Sequence, residues 1–459
     1  MRTHPTVPNA LSRYYDRIRA AAGRLSSAAS PPGDFFQPGW ELPEPTRQLD
    51  EFFAVSALSG GPLSEYRGRA LSFLDLTGNP GTRTTKTFGS AIIVARALRH
   101  IAVTGESVLL VSPSAANKAV ALRDAVLRAY QVGAASPASL RVAVVVPAAN
   151  LQKIWDSGLT AAKYSVANPI GVFDGAEREH VKKLATAAVQ MMSAEVLASS
   201  GFRIWYTLDP LNYMLADIVR AFFEHEMVPS TTGPAHRWHA HAVSSAYGLL
   251  GHDMGWRELE KVSDPRPAAP PPRYLLVQHL ETPDLVLNLR AEAAANYRLP
   301  RYEIDQQTGQ YRQAGPVDPH FPEVCYSDDE RLERTFDTRN PPTIPRVQDL
   351  LARHGGDGIV VSLPECLARY QEIRQLLGGT TVAPLPADPR RLREWAGVMA
   401  VAGALAAIDR GLIPLGDEVM VHCSGAYSEG DYEIPDRRQL HPVDAAEDVA
   451  AMLRKAAAA

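Results

Sequence analysis

The sequence predicts an α/β fold in which a parallel sheet is covered by helices on both faces. Three observations predict it. Strand-length segments with unbroken apolar stretches recur at Glu106–Val111, Leu140–Val146 and Pro169–Phe173, as expected of strands buried on both faces. Each is followed by a helical pattern: Ala119–Tyr130, a short one near Leu151–Trp155, and one from about Ala176 to Leu197. Turn residues such as Ser112-Pro113-Ser114 and Pro147 separate strand from helix, and strand–helix alternation of this kind calls for parallel pairing.

Composition bounds the protein. At 459 residues, the chain can form two or more domains with a large core. A hydrophobic share of 46% and a charged share of 21% are ordinary for a globular chain. With 47 Lys and Arg against 51 Asp and Glu the net charge is −4, which gives no electrostatic reason to expect nucleic acid or an anionic membrane as partner. Cys325, Cys366 and Cys423 are far apart and odd in number. Neither a disulfide framework nor a cysteine zinc site is expected, and a cytoplasmic location fits. Met1-Arg2-Thr3-His4-Pro5 lacks signal-peptide form, and the longest apolar run, Val398–Ile408, is too short to span a bilayer.

In chain order, Ala10–Leu25 reads as a surface helix ended by Ser30-Pro31-Pro32-Gly33-Asp34 and followed by a proline-rich arm. Leu71–Leu76 is a strand. The turn Asn79–Gly89 leads into the helix Ala91–Leu98, with Thr84 or Thr85 as its N-cap. Residues 100–205 then form one compact block. Tyr213–Phe223 reads as an amphipathic helix, and Trp238–Val243 is a strand running into Ser244–Gly251. A proline-rich linker, Asp264–Pro272, precedes the strand Tyr274–Val277. Residues 299–345 show little periodicity and read as an irregular insertion, a lid or an interface segment. Helices follow at Val347–His354, Leu367–Leu377 and Leu392–Arg410, and Glu418–His422 is the last strand.

Lys86 stands just inside a helix start, where a cation opposes the helix dipole. Local stability does not explain it. A lysine amine held as a Schiff base with pyridoxal phosphate (PLP) does; a solvated lysine is the plain alternative. Four turns line up after strands: Lys86, Ser114–Asn117, Ser244–Gly248 and Ser424-Gly425. Ligands of open α/β sheets collect at such strand ends.

With these residues in order, the chain resembles the threonine synthase branch of the fold-type II (tryptophan synthase β-like) PLP enzymes over roughly residues 65–430. Asn79-Pro80 to Lys86 is similar to the family's lysine motif, and Ser114-Ala115-Ala116-Asn117 to its Ser-x-Gly-Asn turn. Leu211-Asn212-Tyr213 to Phe223 is similar to the helix ahead of the phosphate loop, Val243–Gly251 to that loop, and Ala400–Gly425 to the closing segment. The resemblance implies two open, twisted, mainly parallel sheets with helices on both faces. It implies a large PLP-binding domain (1–99 plus 206–459), a small mobile domain (100–205) and the insertion 299–345. A homodimer acting on an amino-acid substrate is expected.

By the same resemblance Lys86 would hold the cofactor and move the α-proton, and Asn117 would bond the ring hydroxyl. Ser114, with Thr85, Ala115 and Ala116, would bind the substrate carboxylate. Ser244, Ser245, Ala246, Tyr247 and Gly248 would cradle the phosphate, and Ser424 would face the ring nitrogen. The implied reaction is elimination or replacement at Cβ or Cγ. Several residues depart from the family pattern. Thr85 and Thr87 flank the lysine where the family has phenylalanine and aspartate. Ala115 and Ala116 replace glycine, and Ser244-Ser245-Ala246 replaces much of the glycine and asparagine of the phosphate loop. A second substrate-phosphate site has no equivalent. The alternative is a non-catalytic, partner-binding scaffold. His225, His236, His239 and His241 lie near Glu224 and Glu226 without any accepted zinc spacing, so no metal is expected. Lys118 and Arg83 are expected to face solvent, with contact to a carboxylate or phosphate as the alternative.

Overall fold

The computed structural model describes residues 4–28, 35–175, 179–230, 235–262, 270–293 and 298–459. The Ser30–Asp34 turn, residues 176–178 at the expected start of a helix, and most of the Asp264–Pro272 linker lie outside them. The described chain falls into two compact units: Pro8–Ser56 with Asn79–Val219 and Gly430–Ala459, and Met1–Val7 with Ala57–Gly78 and Arg220–Glu429. Both are α/β units built on predominantly parallel sheets.

The first unit holds five strands in the spatial order Leu440–Pro442, Ile170–Phe173, Leu140–Pro147, Ser107–Pro113 and Phe202–Tyr206, all parallel. The central strands are buried along nearly their whole length, as their unbroken apolar stretches require. Leu109, Val111, Ala143 and Val145 pack under the helices His180–Ser200 and Ala446–Ala458. On the other side lie the helices Lys86–Thr104 and Asn117–Gln131, which pack against each other. The expected helix near Leu151–Trp155 is a 3₁₀ segment, Ala148–Lys153.

These bounds differ from the 100–205 block expected. Helix Lys86–Thr104 packs on Asn117–Gln131 and on Leu211–Asp217, so Lys86 groups with the Asn117 turn. Residues near both chain ends complete this unit, which a reading by contiguous stretches misses.

The main sheet of the second unit has seven strands in the order Thr6–Val7, Leu58–Tyr66, Arg69–Asp75, Glu418–Cys423, Arg237–Ala242, Arg273–His279 and Gly356–Val361. The first three pair antiparallel and the rest parallel. Leu58–Tyr66 and Arg69–Asp75 form a hairpin whose two loop residues, Arg67 and Gly68, both take positive φ, the twist that matches flanking strands. One sheet face packs Trp238, Ala240, Ala242, Val419 and Val421 against the apolar helix Ala396–Asp409.

Three expectations change in detail. The amphipathic helix expected over Tyr213–Phe223 is two helices, Leu211–Asp217 and Val219–Met227, parted at Ile218 and buried on nearly every side. The insertion 299–345 carries a three-stranded antiparallel sheet, Tyr302–Ile304, Tyr311–Gln313 and Val324–Cys325; Cys325 and Phe321 anchor it to a small core with Leu280 and Val286. Glu418–Cys423 is followed by one more strand, Leu440–Pro442. The three cysteines are free and buried. Among the described residues no helix is long and apolar enough to cross a membrane.

Candidate functional site

The lysine turn is built by Asn79. Its Oδ1 accepts from Gly81 N at 2.9 Å, its main-chain oxygen accepts from Arg83 N, and its Nδ2 donates to Asp124 Oδ2 at 2.8 Å. Thr82 and Thr87 share a hydroxyl–hydroxyl bond of 2.6 Å. Helix Lys86–Thr104 therefore starts on the lysine itself. Thr85 precedes it in helical φ/ψ without a side-chain cap bond, whereas the Thr84 hydroxyl accepts from Lys86 N at 3.4 Å. Gly89 is required here, because a Cβ on it would lie 2.3 Å from the Tyr213 ring. Lys86 Nζ stands 5.1 Å from the centre of that ring. Arg83, at φ 45°, pairs with Asp431 at 2.8 Å.

Asn117 is the first residue of helix Asn117–Gln131 and does not cap it. Ser114 Oγ accepts from Ala119 N at 3.1 Å, so its hydroxyl supports the helix start. Asn150, buried and absent from the sequence reading, donates to the Ala115 oxygen at 2.7 Å and fixes the turn from below. Lys118 is partly buried. It donates to the Thr207 main-chain oxygen and stands 5.9 Å from the Tyr213 ring centre. Burial, then the charge of Lys86, lowers its amine to about 7.

In the other unit, strand Arg237–Ala242 runs through Ser244 and Ser245 into helix Tyr247–Val262. Ala246 takes φ 56°, a left-handed conformation that is costly for a residue with a Cβ. Ser245 O accepts from Thr343 Oγ1 at 2.8 Å. A Cβ on Gly248 would lie 2.7 Å from Arg220 Nη1 and 2.6 Å from His241 Cε1. The bare glycine lets a fully buried guanidinium pack against the first turn of the helix.

Beneath this turn lies a polar layer that no sequence motif announces. His239 and His241 share a strand face, as their spacing of two requires, and His422, Tyr274, His252, Glu224 and Arg237 join them, all buried. His239, His252 and Glu224 bring ligand-type atoms within 4.8 Å of one another. Proton positions decide how these atoms are used. Arg220 only donates, so His422 Nδ1 accepts at 3.1 Å. Burial keeps His422 and His239 neutral, with pKa values well below the usual imidazole range. His422 Nε2 therefore carries the hydrogen given to His239 Nδ1 at 3.0 Å. His239 Nε2 is then an N–H directed at Glu224, 3.6 Å away, and His252 Nε2 donates to the same oxygen at 2.8 Å. Arg237 donates to Glu224 and to Glu418, both at 2.8 Å. The donors converge on one carboxylate. His225 and Glu226 are exposed, and His236 contacts Pro271 O.

Ser424 is buried at the end of strand Glu418–Cys423. Gly425 follows because a Cβ there would meet Glu394 Cγ at 2.5 Å. Asp75 lies across from Cys423 in register, bonded to Thr77 and Thr381. Burial raises the pKa of this carboxyl. Sequence reasoning missed Glu394 and Asp75, neither of which sits in a motif.

Predominantly parallel sheets, with a lysine and an asparagine opening two helices that pack on each other, define an α/β protein. The chain belongs to DUF6002, a family of unknown function, whose model matches residues 6–457. No curated protein matches it. The solved structures it is similar to include three enzymes. With an L-serine ammonia-lyase from Rhizomucor miehei it shares 11% identity over 79% of this chain and 90% of that one, TM-score 0.46. With PLP-bound threonine synthase from Brucella melitensis the identity is 12%, over 85% and 79%, TM-score 0.47. With threonine synthase from yeast it is 10%, over 90% and 84%, TM-score 0.49.

Proposed function

We propose that the protein is a PLP-dependent enzyme that carries out elimination or replacement at Cβ or Cγ of an amino acid. One observation carries the reading: Lys86, which opens one helix, and Lys118, the residue after Asn117 in the next, both stand over the ring of Tyr213. The 244–248 turn fits a phosphate group. There the positive end of a helix dipole and the Arg220 guanidinium lie side by side with only Gly248 between them, and a bound anion relieves that repulsion.

PLP, when bound, supplies an electron sink at the substrate α-carbon. The chain's own residues do the rest. The Lys86 amine holds the aldehyde and moves the proton at the α-carbon. The Asn117 amide would donate to the ring hydroxyl, and the Ser114 hydroxyl with the main-chain N–H groups of Ala115 and Ala116 would orient the substrate carboxylate, the Ser114 N–H being held by the Val145 oxygen. Ser244–Gly248 receives the phosphate. Ser424 would present a neutral hydroxyl to the ring nitrogen, and a neutral partner would not hold that nitrogen protonated. The order of motifs favours the Cγ route, and the absence of a second phosphate site from the sequence reading argues against O-phosphohomoserine. A cytoplasmic homodimer is part of the proposal.

The test is direct. Purified protein given PLP should turn yellow, and borohydride followed by peptide mapping should place the label on Lys86. Incubation with O-acetylserine, O-acetylhomoserine, S-adenosylmethionine and O-phosphohomoserine in deuterium oxide should put deuterium at Cα with loss of the side-chain group, and deuterium at Cβ would select the γ route. A colourless protein that takes up no PLP would favour the scaffold. Rapid threonine formation from O-phosphohomoserine would overturn the substrate reading.

A further inference from the structure

Thr343 lies near the end of the 299–345 segment and is the N-cap residue of helix Ile344–His354. A threonine there ordinarily turns its hydroxyl back to accept from an N–H of the first turn. This one is buried, lies in helical φ/ψ and makes no such bond. Its hydroxyl donates instead to the Ser245 main-chain oxygen at 2.8 Å, while its own main-chain oxygen accepts from Val347 N. The helix it opens packs on helix Tyr247–Val262. Buried Asp253 ties the two helices again further along, accepting from His354 Nε2 at 2.8 Å and from Arg353 Nη2 at 3.1 Å. The Thr343 hydroxyl is therefore held at a fixed place beside the 244–248 turn.

The bond bears on one torsion. In a trans peptide the C=O and the N–H point opposite ways, so holding the Ser245 oxygen on Thr343 turns the Ala246 N–H to the other side. Turning this peptide over would carry Ala246 from φ 56° to a negative φ, the region that a residue with a Cβ prefers. The local backbone favours the flipped peptide, and the Thr343 hydroxyl opposes it. Among the described residues nothing accepts from the N–H of Ser244, Ser245, Ala246 or Gly248. We propose that Thr343 is a positioning residue that sets the turn's preference for a phosphate monoester, by keeping the Ala246 N–H among the donors open to the anion. This rests on the reading of 244–248 as the turn that receives the phosphate of PLP. A glycine at 246 would hold positive φ unaided; the alanine needs the hydroxyl.

The test compares pyridoxine 5'-phosphate with pyridoxine by calorimetry on the full chain. Neither carries an aldehyde, so the outcome does not depend on Lys86. The wild type should bind the phosphorylated compound the more tightly. Thr343→Val should weaken pyridoxine 5'-phosphate about tenfold and pyridoxine less than about twofold. Thr343→Ser keeps the hydroxyl and should stay within about threefold of wild type. Adding Ala246→Gly to Thr343→Val should recover most of the loss, because glycine holds positive φ without the hydroxyl. A merely structural threonine would not be rescued there. If Thr343→Val does not fold, the double variant is compared with Ala246→Gly alone: near-equal binding supports the role, and a tenfold loss overturns it. A Thr343→Val chain with the wild-type preference, or a double variant no better than Thr343→Val, overturns the role of Thr343 and leaves the reading of the turn standing. A wild type that binds both compounds alike, or neither, overturns the reading of the turn and the proposal with it.

Discussion

Arg220 Nη1 lies 3.1 Å from His422 Nδ1, and this contact sets the protons of the whole layer behind the 244–248 turn. A guanidinium has no lone pair to offer. The direction of donation therefore runs one way, from Arg220 through His422 and His239 toward Glu224. The three atoms that resemble a metal site, from Glu224, His239 and His252, are arranged as two donors and one acceptor. A cation would need both histidine nitrogens as lone pairs. The neutral state of His239 and His422 follows from burial, with the Arg220 charge adding to it.

Stability should fall as the medium is acidified through the imidazole range. His239 and His422 have folded pKa values well below 6.5, so protons bind the unfolded chain first. Their contribution is fully present above about 6.5 and is lost below it. The contribution of Glu224, whose pKa is lowered, persists until pH falls below the ordinary carboxylate value, about 4.3. Urea unfolding at pH 7.5 and 5.5 should show a lower midpoint at 5.5, and His422→Gln should shrink the difference. An unchanged difference would mean that His422 is not buried neutral.

Glu224→Gln should destabilise the second unit by about 3 kcal/mol, because it strips one of two carboxylates from the buried Arg237 and leaves one acceptor oxygen where Arg237 and His252 now use two. Denaturant titration measures it. A loss under about 1 kcal/mol would show the layer to be wetter than its burial implies.

Gly248→Ala should cost roughly 1–3 kcal/mol through overpacking against Arg220 and His241. It should also weaken PLP relative to pyridoxal, since the phosphate end is what the shifted guanidinium disturbs. Gly379→Ala is the control, because nothing lies within 4 Å of a Cβ there.

Lys86→Ala should abolish colour and borohydride labelling yet leave stability the same or about 0.3–1 kcal/mol higher, since it removes a cation from a helix start. Spectra and thermal unfolding of the same sample check both. Loss of stability together with retained colour would reverse the assignment.

Much of the local structure was legible because it rests on short-range rules. The buried strands Leu140–Pro147 and Glu418–Cys423 announce themselves as apolar runs, and Asn79-Pro80-Gly81 announces a turn. The hairpin at Arg67–Gly68 went unread because Leu58–Tyr66 is rich in Gly, Pro and Ser, and the closing helix Ala446–Ala458 went unread as well. The helix expected over Tyr213–Phe223 was misread for a related reason. Burial on nearly every side removes the polar stripe that periodicity depends on.

The sequence by itself determined the α/β class, the strand–turn–helix order and the lysine at a helix start, since each is a matter of neighbours along the chain. Tertiary structure alone decided which distant residues share a unit, that Lys118 turns inward to Tyr213, and that Glu224, His239, His252 and His422 form one layer. Those residues lie on separate elements, and only sheet order and helix packing bring them within hydrogen-bond reach, where burial then fixes their protons.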